Sequence, residues 1–105
     1  MNITIANIKS GTKIEDPHVF LIDRRTPVGN PFPLDDESLR DEVCDKYDVW
    51  FNNKGLKDPK VLAYLNSLKL YLMNHKKITL LCWCAPKRCH GETIKKWLEA
   101  NVHET

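Results

Sequence analysis

Apolar residues are spaced regularly over most of this chain, and the period of that spacing changes along it. Ile3-Thr4-Ile5-Ala6-Asn7-Ile8 alternates and is rich in β-branched residues, the pattern of a strand with one buried face. Lys9-Ser10-Gly11-Thr12 breaks it, and Asp16-Pro17 marks a second turn. His18-Val19-Phe20-Leu21-Ile22 is a short, continuous apolar run, as expected of a more buried strand. From there the period lengthens. Leu39, Val43, Tyr47 and Trp50 follow at spacings of four, four and three, one stripe of a helix that Asp35 or Asp36 caps and Glu37 favours in its first turn. Cys44 lies beside that stripe and reads as a core residue. Asn52-Asn53-Lys54-Gly55 stops the helix, with Gly55 suited to a left-handed cap.

A second helix starts at Asp58-Pro59, the aspartate capping and the proline at the first helical position. Val61, Leu65, Leu68 and Leu72 form its stripe, which Leu62 and Met73 broaden, and it fades at Asn74-His75-Lys76-Lys77. Residues 78–84 are the most apolar run and predict a third strand near the centre of the sheet. Ile94, Trp97, Leu98 and Asn101 or Val102 mark a last amphipathic helix, and residues 103–105 read as a frayed end. The order β-β-α-α-β-α predicts a single small α/β domain over residues 1–105, with about three strands and three helices.

Composition narrows the function classes. The 105 residues hold one modest core. A net charge of +2, from 16 basic and 14 acidic residues, is too balanced to make nucleic acid the default partner, although a local basic patch keeps it open. No apolar run approaches the ~18 residues of a membrane span, so no membrane partner is expected. The N-terminus lacks the pattern of a signal peptide, so a cytoplasmic location is the expectation. In that compartment, clustered cysteines read as metal ligands, reactive thiols or core residues before they read as disulfides.

Three of the four cysteines fall in Cys82-Trp83-Cys84-Ala85-Pro86-Lys87-Arg88-Cys89-His90-Gly91, where the third strand gives way to the last helix. Strand alternation would set Cys82 and Cys84 on one face and Trp83 on the other. Three readings stand side by side. Cys82, Cys84, Cys89 and His90 are a plausible tetrahedral zinc set, although the adjacent Cys89 and His90 share one ion only if the backbone bends sharply. Alternatively, helix N-terminal amides with Lys87 and Arg88 favour a thiolate at Cys89, with His90 as its base. Or the cysteines simply fill core positions.

The segment Asp23-Arg24-Arg25 ends the second strand, and Thr26-Pro27-Val28-Gly29-Asn30-Pro31-Phe32-Pro33 follows as a stiff loop. In an α/β fold that is where ligands bind, and an arginine there suits a phosphate or carboxylate. The plainer reading, favoured by spacing alone, is a surface turn whose arginines pair with Asp23, Asp35 or Asp36.

Gly29-Asn30-Pro31-Phe32, Ser38-Leu39-Arg40, Tyr47 with Trp50, and Cys82-Trp83-Cys84-Ala85-Pro86 with Cys89-His90-Gly91 together resemble the domain of unknown function 4326 family, small proteins of phages, prophages and bacteria. The resemblance runs from the first strand to the last helix. It maps the family's arginine after the second strand onto Arg24. This chain has Val28 where the family commonly has a tryptophan. The resemblance implies the cytoplasm of a phage-infected bacterial host, signature residues gathered at one end of the domain, and an association with 7-deazaguanine modification of phage DNA.

With that resemblance, the expected site is one pocket for a nucleotide or nucleobase-like ligand. Arg24, Arg40 and Arg88 would meet its anionic part, Asn30 would hydrogen-bond it and Trp83 would stack on it. Cys84 or Cys89 would be the nucleophile of any reaction, with His90 carrying the proton. The competing expectation is a non-enzymatic phage protein that docks on a host factor, its Cys82, Cys84, Cys89 and His90 turn stapled by zinc.

Overall fold

A computed structural model describes residues 1–102, so the expected frayed end at 103–105 lies outside the described residues. Three parallel strands, β1 (Asn2–Asn7), β2 (Val19–Leu21) and β3 (Lys77–Cys82), form one sheet in the order β1-β3-β2. The most apolar strand is the central one, as its composition predicts, and β3 is buried along its length from Ile78 onward. Its residues Ile78, Leu80 and Cys82 share one face with Ile3, Ile5 and Phe20, and all three helices pack into the same cluster.

Helix α1 spans Arg40–Asn53, α2 spans Pro59–His75 and α3 spans Gly91–Asn101. The Asp58 carboxylate caps α2 by accepting from the Lys60 amide at 2.9 Å, and Val61, Leu65, Leu68 and Leu72 bury as the spacing predicts. On α3, Ile94 and Leu98 bury, followed by Val102, while Trp97 packs half-buried against the core. Among the described residues no helix is long and apolar enough to cross a membrane.

Two expectations about α1 need correction. Asp36 caps a short 3-10 turn over Glu37–Leu39 rather than the helix itself, so α1 begins at Arg40 and Leu39 stays exposed, out of phase with the stripe. Phe51 completes the buried stripe with Val43 and Tyr47, and Trp50 is half-buried. Gly55 is not a left-handed cap; it opens a further 3-10 turn, Gly55–Lys57. A Cβ there would stand 3.2 Å from the Trp50 ring, so close packing under the indole is what a glycine provides at this position. The left-handed cap of an α-helix is instead Lys76, after α2.

Candidate functional site

Because the strands are parallel, their carboxyl ends lie at one edge, and the two segments singled out in the sequence leave from it. The strand β3 stops at Cys82, two residues earlier than its apolar run suggests. The Asn7 side-chain amide, at the end of β1, donates to the carbonyls of Trp83 and Ala85, both at 3.0 Å, and the Lys87 amide closes a turn on the Cys84 carbonyl at 2.9 Å. Cys84 therefore belongs to a turn, with a cis Ala85–Pro86 bond, and does not share strand alternation with Cys82.

On the β2 side the loop is built from its own backbone. The Asp23 carbonyl accepts from the Thr26 amide and hydroxyl, both at 3.0 Å, and the Gly29 amide donates to the Thr26 carbonyl at 3.1 Å. Gly29 lies so close to this turn that a Cβ would stand 2.5 Å from both Arg24 Cα and the Asp23 carbonyl oxygen. The Asn30 side chain accepts from the Phe32 amide at 2.9 Å, and the buried Tyr47 hydroxyl donates to the Val28 carbonyl at 2.7 Å. The loop is thus tied both to itself and to α1.

Between these walls is a cavity of about 470 Å³. Arg24, Asn30, Arg40 and Trp83 line it, as do Cys84, Cys89 and His90. Its ionic groups differ in how far they are engaged. Arg24 Nε donates to the Asn30 carbonyl at 3.0 Å, leaving both Nη groups without a partner among the described residues. Arg25 is paired with Asp23 at 2.7 Å. Arg40, its side chain 14% exposed, is clasped by Glu37 and donates to the Arg88 carbonyl at 3.0 Å. The Glu37 carboxylate, then the Cys84 thiol, hold its guanidinium even more firmly protonated than usual.

Arg88 is not part of this wall. It bonds to Asp41 at 3.0 Å and Asp45 at 2.8 Å, with Glu92 at 3.8 Å, and lines a smaller neighbouring cavity. Three carboxylates presented by α1 and α3 outcompete any pull towards the main cavity, and spacing alone could not show that. Trp83 does line the cavity. Its indole N–H donates to Asp23 at 3.1 Å, and 54% of the residue stays exposed at the mouth.

The thiols separate into different environments. Cys82 and Cys89 touch, sulfur to sulfur at 3.4 Å. The hydrogen bond from Cys89 lowers the pKa of Cys82, while the same contact, together with burial, raises that of Cys89. Cys44 is buried, donates to the Arg88 carbonyl at 3.7 Å and is raised by desolvation. Cys84 is partly exposed beside Arg40. His90 Nε2 is spent on the Ile22 carbonyl. In this arrangement Cys82, Cys84, Cys89 and His90 do not surround a common point, and among the described residues no three His, Cys, Asp or Glu side chains do.

His90 is buried with its ring edge-on to Tyr47, centroids 5.0 Å apart. Burial lowers its pKa, so it is neutral in the fold, with Nε2–H donating to Ile22 and Nδ1 unpartnered among the described residues. In the unfolded chain it titrates near the ordinary 6.5. Below that value the unfolded state takes up the proton first, so stability falls as the pH drops from about 6.5 towards the lower folded pKa. His90→Gln keeps a donor for Ile22 and removes the titration. Its loss of stability between about pH 7.5 and about pH 5 should be shallower than that of the wild type, measured by urea denaturation; an equal slope would remove His90 from the acid response.

Sequence reasoning missed three contributors. Asp23 fits the surface-pairing reading, yet it is 8% exposed and positions both Arg25 and Trp83. The Arg25 hydrogen bonds hold its carboxyl below the usual range. Its place in a charged cluster at a strand end was the available signal. Phe32 lines the cavity beside Asn30, and its place in the loop motif was a comparable signal. Nothing in the sequence marked Asn7, because its partners are backbone carbonyls far along the chain.

Fold and site together define a small α/β domain with a parallel three-stranded sheet and a cavity at the carboxyl ends of its strands. The family model described as Domain of unknown function (DUF4326) matches residues 6–100, and the chain belongs to that family. No curated protein and no solved structure matches it.

Proposed function

We propose that the cavity binds a nucleotide or nucleobase-like ligand. The observation that carries this reading is the pairing, around one cavity of about 470 Å³, of the Arg24 guanidinium with the exposed Trp83 indole. That size suits a small organic ligand. Free N–H groups of an arginine meet a phosphate or carboxylate, and an indole face offers a stacking surface for a flat ring. Arg40 adds a second positive charge. Cys84, partly exposed on the cavity wall beside Arg40, is the thiol placed to react with such a ligand. A phage setting, and a role connected with 7-deazaguanine modification of DNA, make deazaguanine bases and nucleotides the first ligands to try.

Native mass spectrometry of protein taken directly from cells should show a retained mass of nucleotide size. Nucleoside monophosphates or 7-deazaguanine bases should raise the melting temperature. Arg24→Ala should weaken the best of these by roughly tenfold or more, the loss of one charge-assisted contact, with the fold intact. Absence of both a retained mass and any thermal shift would sink this reading. So would unchanged affinity in Arg24→Ala and Cys84→Ser. About one zinc per chain with no small molecule would point instead to a metal-stapled protein that docks on a host factor.

A further inference from the structure

Of the four thiols, only Cys82 and Cys89 are in contact, their sulfurs 3.4 Å apart. They come from different elements. Cys82 is the last residue of β3 and is fully buried. Cys89 precedes α3 and, though only 4% exposed, lines both the main cavity and the smaller one beside it. The Gly91 amide donates to Cys89 Sγ at 3.3 Å and holds that sulfur in place. A Cβ on Gly91 would stand 3.2 Å from the same sulfur and 2.9 Å from Ile22 Cδ1, so the site is packed tightly around the pair. The result is a dithiol with one shielded sulfur and one that opens on a cavity.

We propose that Cys82 and Cys89 form a redox couple that closes to an intramolecular disulfide on reaction with a hydroperoxide. The oxidant must be small, because Cys82 is fully buried and Cys89, only 4% exposed, is the one sulfur of the pair that lines a cavity. The Cys89 proton lies between the two sulfurs and passes to Cys82 as Cys89 sulfur attacks one peroxide oxygen and the O–O bond breaks. The departing oxygen takes a proton from solvent and leaves as water or an alcohol, and Cys89 is left as a sulfenic acid. Cys82 sulfur then attacks Cys89 sulfur, the S–O bond breaks, and the Cys82 proton leaves with that oxygen as water. In total, two thiols are oxidised by two electrons and one peroxide is reduced. Closing from 3.4 Å to the roughly 2.05 Å of an S–S bond ties segment 82–89 into a ring. That segment carries Trp83 and Cys84, so the disulfide would clamp one wall of the cavity. The chemistry of the couple does not depend on what the cavity binds.

Treating the purified full-length protein with hydrogen peroxide tests this, read by intact mass and peptide mapping. The expected result is the loss of two hydrogens per chain, a cross-link joining the Cys82 and Cys89 peptides, and recovery with a phosphine reductant. The Cys44→Ser, Cys84→Ser double variant should behave the same way. In Cys82→Ser the cross-link should vanish and Cys89 should gain oxygen instead. A cross-link through Cys84 or Cys44 would overturn the assignment, as would oxygen gain at wild-type Cys89 without a cross-link. Four thiols persisting in the treated wild type would overturn it equally, and the wild-type map decides the matter even if a variant fails to fold.

Discussion

Gly29→Ala should destabilise the domain by roughly 3 kcal/mol, the upper part of the range for forcing extra volume into a packed position. The new Cβ would lie 2.5 Å from Arg24 Cα and the Asp23 carbonyl oxygen and 2.7 Å from the Arg24 amide nitrogen. All three are backbone atoms, so no side chain can rotate to relieve the overlap. Relief requires opening the turn in which the Thr26 amide donates to Asp23 and the Gly29 amide donates to Thr26. That turn positions Arg24 and Asn30, so ligand binding should fail along with stability. Gly11→Ala is the informative contrast. Gly11 has a positive φ of 87° but nothing within 4 Å of its added Cβ, so its cost should be the conformational one alone, roughly 1 kcal/mol. Urea denaturation of both variants checks the prediction. Equal effects would mean that close approach is not what the glycine in the loop motif provides.

Tyr47 should be the most sensitive side chain of the site's scaffold. It is fully buried, its ring meets His90, Trp50 and Phe51, and its hydroxyl donates to the Val28 carbonyl across the base of the loop. Burial raises its pKa, so the hydroxyl keeps its proton and remains a donor. Tyr47→Ala should cost roughly 3–5 kcal/mol, the range for emptying an aromatic site in a core. Tyr47→Phe keeps the ring and strands the Val28 carbonyl, which should cost roughly 1–3 kcal/mol. Denaturation midpoints of the two variants separate packing from hydrogen bonding. A Tyr47→Phe protein as stable as the wild type would show that the loop does not hang on this hydroxyl.

Tyr47 also shows where sequence reading reaches its limit. Its position on an apolar stripe marked it as core, and the structure agrees. The stripe says which face of α1 turns inward, but nothing about the carbonyl, nineteen positions earlier in the chain, that the hydroxyl meets. Arg88 is the opposite case. Beside Lys87 at a strand–helix junction it looked like a ligand contact, and it is instead held by Asp41, Asp45 and Glu92. Two of those partners belong to a helix more than forty residues away, so no local pattern could have assigned them.

By itself the sequence determined what depends on neighbours along the chain: the number and order of elements, the central place of the most apolar strand, the Asp58–Pro59 start of α2 and the buried stripes of the helices. It also picked out both walls of the cavity, because a strand end followed by a stiff loop, and another followed by clustered thiols, are local features. Only the tertiary structure decided how the chemistry is shared out. It brought Arg24, Arg40, Trp83 and Cys84 to one cavity, turned Arg88 away, joined Cys82 to Cys89 and gave His90 Nε2 to the Ile22 carbonyl. The physical reason is that periodicity records which face of an element is buried. Hydrogen-bond and charge partners are chosen among groups that meet only after the parallel strands align their carboxyl ends.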